Sequence, residues 1–213
     1  IGAFELDSDP GSGEPTCLEA GAIACWRLDE TTGTTAADAT GNGHDGTYFG
    51  GPALGQLGVI PDNGAVLFDG KDDHVRVPHK ASLNLGSTFT AEAWVKRTDA
   101  TKTLQLFNKG DKSFQITVMA GTGQVWLRKA NVTTIARSEG GVPADGNWHH
   151  VLVSMQGPGS TIIRIDGNHD VVQVAPTQAL NTNTAQLILG GTGNAPTVLD
   201  EMALYDYAAY QPI

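Results

Sequence analysis

The chain of 213 residues has only two cysteines, Cys17 and Cys25, and only 7% aromatic residues. The cysteines show no CxxC spacing and no neighbouring His or Cys, which argues against a structural zinc site. Basic residues are scarce as well: 13 lysines and arginines stand against 23 acids, a formal charge of -10. Such a surface repels a phosphate backbone, so nucleic acid is not an expected partner. No apolar run approaches ~18 residues, so no membrane-spanning helix is expected. No signal-peptide pattern opens the chain either, and IGAFELDSDPGSGEP is expected to be a mature or excised start.

What is present is turn chemistry and short apolar runs. Hydrophobic residues make up 40%, broken by 27 glycines and 10 prolines, enough for a sizeable core interrupted by many reversals. From Ala22 onward, AIACWRLDE, GAVLFDG, FTAEAWVKR, SFQITVMAG, GQVWLRKA, WHHVLVSM, STIIRIDG and VLDEMALYDY read as strands. DGKDD, KGDKS, AGTG, GPGS and DGN supply the Gly, Asp and Asn that tight turns need. No amphipathic helix of ordinary length is visible. About thirteen short strands with this punctuation predict an all-β, two-sheet antiparallel sandwich or jelly roll. Residues 1–16 stand apart: IGAFEL reads as one short strand and DSDPGSGEP as a polar linker.

The pair His149-His150 invites a catalytic or metal-binding reading. Alternation along WHHVLVSM places Trp148, His150, Leu152 and Ser154 on one face and His149, Val151, Val153 and Met155 on the other. The histidines then point to opposite sides of the sheet and cannot meet at one ion. Asp166-Gly167 is the residue pair of a hairpin turn, and Asp166 is expected to serve that turn rather than to orient a histidine.

Several motifs also stand in a telling order: ACWRLDE, ADATGNGHDGTY, AVLFDGKDDHVRVP, FTAEAWVK, DGNWHHVLVSM, IIRIDGN, LILGG and LDEMALYD. Together, over residues 22–207, they resemble the laminin G-like, concanavalin A-like jelly-roll modules of bacterial extracellular proteins. The resemblance implies two antiparallel sheets in a domain spanning residues 17–213, secretion or display at the cell surface, and a structural calcium near the first and last strands. It puts Asp200 of LDEMALY at the metal. Asp29, or Asp38, Asn42 and the carbonyls around Gly43 and His44, would complete the shell. DATGNG copies the first half of an EF-hand loop, yet Phe49 stands where a bidentate glutamate is required, so that reading fails. The alternative for Asp38 and Asn42 is hydrogen bonding within their own turn. Asp69, Asp72 and Asp73 read as a solvated hairpin tip.

Catalysis is not expected. Glycosidases of this fold need two carboxylates roughly 5 Å apart, usually from an E-x-D-x-E strand. No such motif is present: Glu92 is without a second acid on FTAEAWVKR, and Gln115 lacks the His and Tyr partners of a lyase strand. Two functions stay open. The first is an adhesive module binding a glycan or surface glycoprotein, with Trp126, Arg128 and Tyr48 as contact residues. The second is a subunit of an extracellular filament or surface layer, in which Phe4 and Leu6 of the N-terminal tail add a strand to a neighbouring copy. Outside the cell, Cys17 and Cys25 are expected to close a short disulfide loop worth ~2–3 kcal/mol; in the cytosol they would be two buried thiols.

Overall fold

The structure, a computed structural model, describes residues 21–169, 171–174, 178–191 and 195–208. Strands are numbered along the chain. One antiparallel sheet runs β14 (Asn168–His169), β13 (Thr161–Ile165), β12 (Trp148–Gln156), β7 (Thr88–Arg97), β17 (Thr197–Tyr205), β5 (Gly64–Phe68) and β4 (Ala53–Leu57). β1 (Ala22–Trp26) also pairs with β17, so the first and last strands are joined. The facing sheet runs β15 (Val172–Gln173), β11 (Thr133–Arg137), β10 (Val125–Lys129), β9 (Phe114–Val118) and β8 (Leu104–Asn108). It continues through β16 (Leu187–Gly190), β6 (His74–Val77), β3 (Gly46–Phe49) and β2 (Thr35–Ala36). The expected jelly-roll sandwich is what forms.

Period-two alternation builds the core. Phe89, Val95, Val151, Val153, Met155 and Leu199 of the eight-stranded sheet meet Val75, Phe114, Ile116, Val125, Leu127 and Leu189 of the nine-stranded one. Phe89 and Phe114 touch across the interior, ring centroids 5.1 Å apart. Each such side chain contributes about 1.5–3 kcal/mol by leaving water. Trp26 is fully buried, and its indole N–H donates to the His44 carbonyl at 2.8 Å, which ties β1 to the loop before β3.

Three strands escape the sequence pattern, β2, β3 and β4. Ala53–Leu57 has few β-branched residues, Gly55 at φ 67, and a register shift against β5 between Ala53 and Gln56, so its rhythm is broken at an edge. Phe4, Leu6 and Cys17 lie outside the described residues, and with them the expected tail strand and disulfide. Cys25 is fully buried on β1.

The histidines do point apart, but one expectation about their partners needs correction. Asp166 adopts the left-handed φ of 52 that its hairpin requires, and its carboxylate also accepts from His149 Nδ1 at 2.8 Å and from the His150 backbone N–H at 2.9 Å. Turn and histidine share one aspartate. On the other face, Glu92 meets His150 Nε2 at 3.2 Å and accepts a short hydrogen bond from the Tyr205 hydroxyl. Sequence could not show either contact, because each depends on which strands lie side by side and in what register.

Burial alone would depress the His149 pKa, but hydrogen bonds to Asp166 and Asp145 outweigh it and raise the value above 6.5. The stabilisation from charged His149 is therefore complete below about pH 6.5 and lost as pH rises through the raised folded-state value. The melting-temperature gap between wild type and Asp166→Asn is expected to be widest near pH 5.5 and to narrow by about pH 8.5. A gap that stays constant across this range would show that His149 is not charged in the fold.

Candidate functional site

The outward face of the nine-stranded sheet carries two cross-strand rows of side chains. In the first, register aligns Thr134, Arg128, Gln115, Asn108, Ile188, Arg76 and Thr47 on successive strands from β11 to β3. In the second, Arg137, Trp126, Thr117 and Gln105 are aligned partners, and Gly190, His74 and Phe49 continue the line. Neither row contains an Asp or Glu.

Hydrogen bonds hold these side chains in place. Gln105 Oε1 accepts from Asn108 Nδ2 at 3.0 Å and from Gln115 Nε2 at 3.1 Å, while Gln105 Nε2 donates to the Gly190 carbonyl at 2.6 Å. His74 Nδ1 donates to the Asp72 carbonyl at 2.7 Å, which leaves Nε2 to accept from Arg76 Nε at 2.8 Å. The Arg76 guanidinium lies 4.1 Å from the centroid of Phe49, and the imidazole of His74 stacks on the same ring. Trp126 and Arg128 are half-buried on β10, the guanidinium 6.0 Å from the indole. Their Nε1 and Nε atoms are buried with no acceptor among the described residues.

Trp126 and Arg128 thus occupy the face that alternation assigns them. Tyr48 does not. It is buried in the core, and its hydroxyl donates to Glu30 Oε2 at 2.7 Å. Desolvation and Glu30 both raise its pKa strongly. The exposed ring is the adjacent Phe49, because β3 runs in the opposite phase: Gly46 and Tyr48 inward, Thr47 and Phe49 outward. Gln105, Asn108, Gln115, Arg76 and Arg137 are not recognisable as a group in the sequence. Alternation assigns each to an outer face, but strand order brings them together.

The proposed metal residues separate into two places. Asp200 is completely buried, its Oδ2 accepting from the Val59 N–H and its Oδ1 from the Glu201 N–H, both at 2.8 Å. Burial, with the charge of Asp29 adding to it, pushes Asp200 up to about 7. Asp29 is raised as well, chiefly by burial, and one of its oxygens accepts from Gly64 N–H at 2.9 Å. Gly58 lies beside Asp200, and Gly64 beside Asp29. A Cβ on Gly58 would stand 2.5 Å from the Gly64 carbonyl oxygen, 2.9 Å from Asp200 Oδ2 and 3.0 Å from the Asn63 carbonyl oxygen. Oxygens thus converge on a point where no side chain fits. Carboxylates and carbonyls are the donor set of a hard cation, and the residues present suit one.

The 38–44 turn is different. Asp38 accepts from the Thr40 hydroxyl at 2.7 Å and from the backbone N–H groups of His44, Thr40 and Cys25 at 2.9–3.2 Å. Burial would raise its pKa, yet these bonds together lower it. The Asn42 side chain donates to the Ile23 carbonyl at 3.1 Å, and the His44 carbonyl is taken by Trp26. The Lys80 ammonium sits 3.1 Å from the Asn42 carbonyl and 2.8 Å from where a Gly43 Cβ would be. A cation of the chain itself is already at this turn. Asp38, Asn42, Gly43 and His44 make no hydrogen bond or ion pair with Asp200 among the described residues. Their oxygens serve the turn, as the alternative reading supposed. Asp69, Asp72 and Asp73 lie within 4.8 Å of one another, and Asp69 pairs with Lys71 at 3.1 Å.

This sandwich belongs to a known group. The chain is a member of the laminin G-like family of the concanavalin A-like lectin/glucanases superfamily, whose model matches residues 69–212. No curated protein matches its sequence. Domain 4 of AbnA, a GH43 extracellular arabinanase from Geobacillus stearothermophilus in complex with arabinotriose, superposes with a TM-score of 0.68 at 21% identity, covering 88% of this chain and 93% of that one. The binding domain of Paraclostridial Mosquitocidal Protein 1 gives 0.66 at 14% identity, with 88% and 49% covered. The binding domain of botulinum neurotoxin DC in complex with SialylT gives 0.62 at 13%, with 89% and 48% covered. The chain spans about half the length of these toxin binding domains. At such identities the likeness is one of fold.

If Asp38 serves the turn, Asp38→Ala strands the N–H groups of Cys25, Thr40 and His44. It is expected to lower stability by about 2–3 kcal/mol, since donors to a charged acceptor are costly to leave unpaired. The urea midpoint measures this. A loss of the same size in wild type and variant on chelation, additional to the turn's, would place Asp38 outside the metal shell; a variant indifferent to chelation while wild type responds would place it inside.

Proposed function

We propose that the chain is a non-catalytic carbohydrate-binding module of a secreted or cell-surface protein. Its glycan lies along the outward face of the nine-stranded sheet, on Trp126 and the amides of Gln105 and Gln115. The hydrogen-bonded Gln105–Asn108–Gln115 set beside a half-buried indole is the observation that carries this reading. A sugar presents apolar C–H faces and a rim of hydroxyls. An aromatic plane takes the first, and fixed amides that both donate and accept take the second. The Gln115 carbonyl oxygen has no partner among the described residues, so it is available to a hydroxyl. Family membership supports the reading, as do an arabinanase domain in complex with arabinotriose and a toxin binding domain in complex with SialylT on the same fold.

The non-catalytic half of the proposal rests on the same face. Its two rows hold no carboxylate, whereas glycoside hydrolysis needs a pair. Glu92 is on the other sheet, engaged by His150 and Tyr205. Turnover of any glycan that Glu92→Gln abolishes would overturn this part. Binding itself is tested by Trp126→Ala and Gln115→Ala on a glycan array and by calorimetry against the glycans that bind. Each variant is expected to weaken binding at least about tenfold, the loss typical of a central contact. Wild-type binding that both variants leave unaltered would place the site elsewhere.

A structural calcium ion is the second element. Asp29 and Asp200, with the carbonyls of Asn63 and Gly64, would hold it at the junction of the first and last strands. Bound there, the ion supplies positive charge to the buried Asp200 and the half-buried Asp29; the chain's own part is to hold their oxygens in place by backbone hydrogen bonds. At a hundredfold excess over its dissociation constant, calcium is expected to add about 2.7 kcal/mol, roughly 5–10 °C in melting temperature for a chain of this size. Asp200→Asn is expected to remove the response. No shift with calcium, and no metal by elemental analysis, would eliminate the site.

A further inference from the structure

The charge of the same face points to the class of glycan. The chain carries a net charge of -10 with only 13 basic residues, so two acid-free rows holding several cations are not expected by chance. Yet Arg128 and Arg76 stand in one cross-strand row and Arg137 beside Trp126 in the other, with no Asp or Glu in either. Among the described residues none of the three pairs with a carboxylate, whereas Lys71, His149 and His150 all do. From Arg128 on β10 to Arg76 on β6 the register crosses four strand spacings, about 19 Å at ~4.8 Å each. That span is an extended run of sites, suited to a chain of sugars rather than to one.

The guanidinium groups are also held in place. Arg76 is fixed from two sides, by its Nε–H donated to His74 and by the Phe49 ring beneath it, so its terminal N–H groups stay available. Arg128 has its Nε buried without an acceptor, next to an indole N–H in the same condition. A half-buried guanidinium aligned on a rigid strand matches a planar carboxylate, which it binds with paired hydrogen bonds. In a half-buried setting that interaction is screened less than at an open surface. We infer, resting on the binding reading above, that the module takes an acidic oligosaccharide whose sugars bear carboxylates. In this arrangement Trp126 takes a sugar ring, Gln105 and Gln115 take hydroxyls, Arg128 and Arg137 take the carboxylates of neighbouring uronates, and Arg76 takes one further along a longer chain.

Three trisaccharides test this by calorimetry on the full chain: trigalacturonate, its methyl ester, and neutral galactotriose. Trigalacturonate is expected to bind at least about tenfold tighter than its ester, the advantage shrinking as salt is raised. Arg128→Gln and Arg137→Gln, on neighbouring strands and each checked for an unchanged melting temperature, are expected to reduce the affinity for trigalacturonate to that for its ester. Equal affinity for acid and ester, or tighter binding of galactotriose, would overturn the acidic preference and leave a neutral-glycan module. A sulfated galactose trisaccharide that binds more tightly than the uronate would overturn the carboxylate assignment. No binding of any of these, together with a blank glycan array, would overturn both this inference and the function on which it rests.

Discussion

The sandwich depends on β7, which has ordered neighbours on both edges and buried side chains on both faces. Over Thr88–Arg97 it pairs with β12 on one side and β17 on the other. Phe89, Ala91, Ala93 and Val95 enter the shared core, while Thr90, Glu92 and Trp94 turn away from it and are still buried. A strand in that position cannot slip by one residue, because the shift would exchange an apolar set for a polar one. β12 and β17 inherit their register from it. Through β17 the first strand is then placed against the last, which brings Asp29 and Asp200 to the same corner although 171 positions separate them.

The two outer faces of the sandwich differ accordingly. On the eight-stranded sheet, several polar groups turned outward pair with one another, as in the contact of Glu92 with His150 and Tyr205 and that of Thr90 with Ser154 at 3.0 Å. On the nine-stranded sheet the outward amides are fixed to one another but keep atoms free, and the guanidinium groups have no acids to neutralise them. A surface with immobilised, unused hydrogen-bonding capacity loses little conformational entropy when a ligand arrives.

How much of the site the sequence discloses differs from residue to residue. Trp126 and Arg128 are two apart on a clearly alternating strand, so their common outward face follows from local pattern. Tyr48 belongs to a short strand next to glycines, where four residues do not settle the phase, and its neighbour Phe49 is the one exposed. Asp38 could be read as a metal ligand or as a turn acid from the same DATGNG; only the positions of Cys25, His44 and Lys80 distinguish the two. Asp166 was assigned to its hairpin, and does serve it, but its hold on His149 depends on the return of β13 beside β12.

The local sequence alone determined the all-β class, the sandwich, the separation of His149 from His150, and the acidic net charge. Each is set by the alternation of neighbours or by composition, quantities that need no knowledge of distant segments. Tertiary structure decided which strands lie side by side, and hence that Arg128, Gln115, Asn108 and Arg76 form a row and that three oxygens surround Gly58. Strand order is chosen by the burial of the whole core at once, so groups that meet across it have no signature in the stretch of chain that carries any one of them.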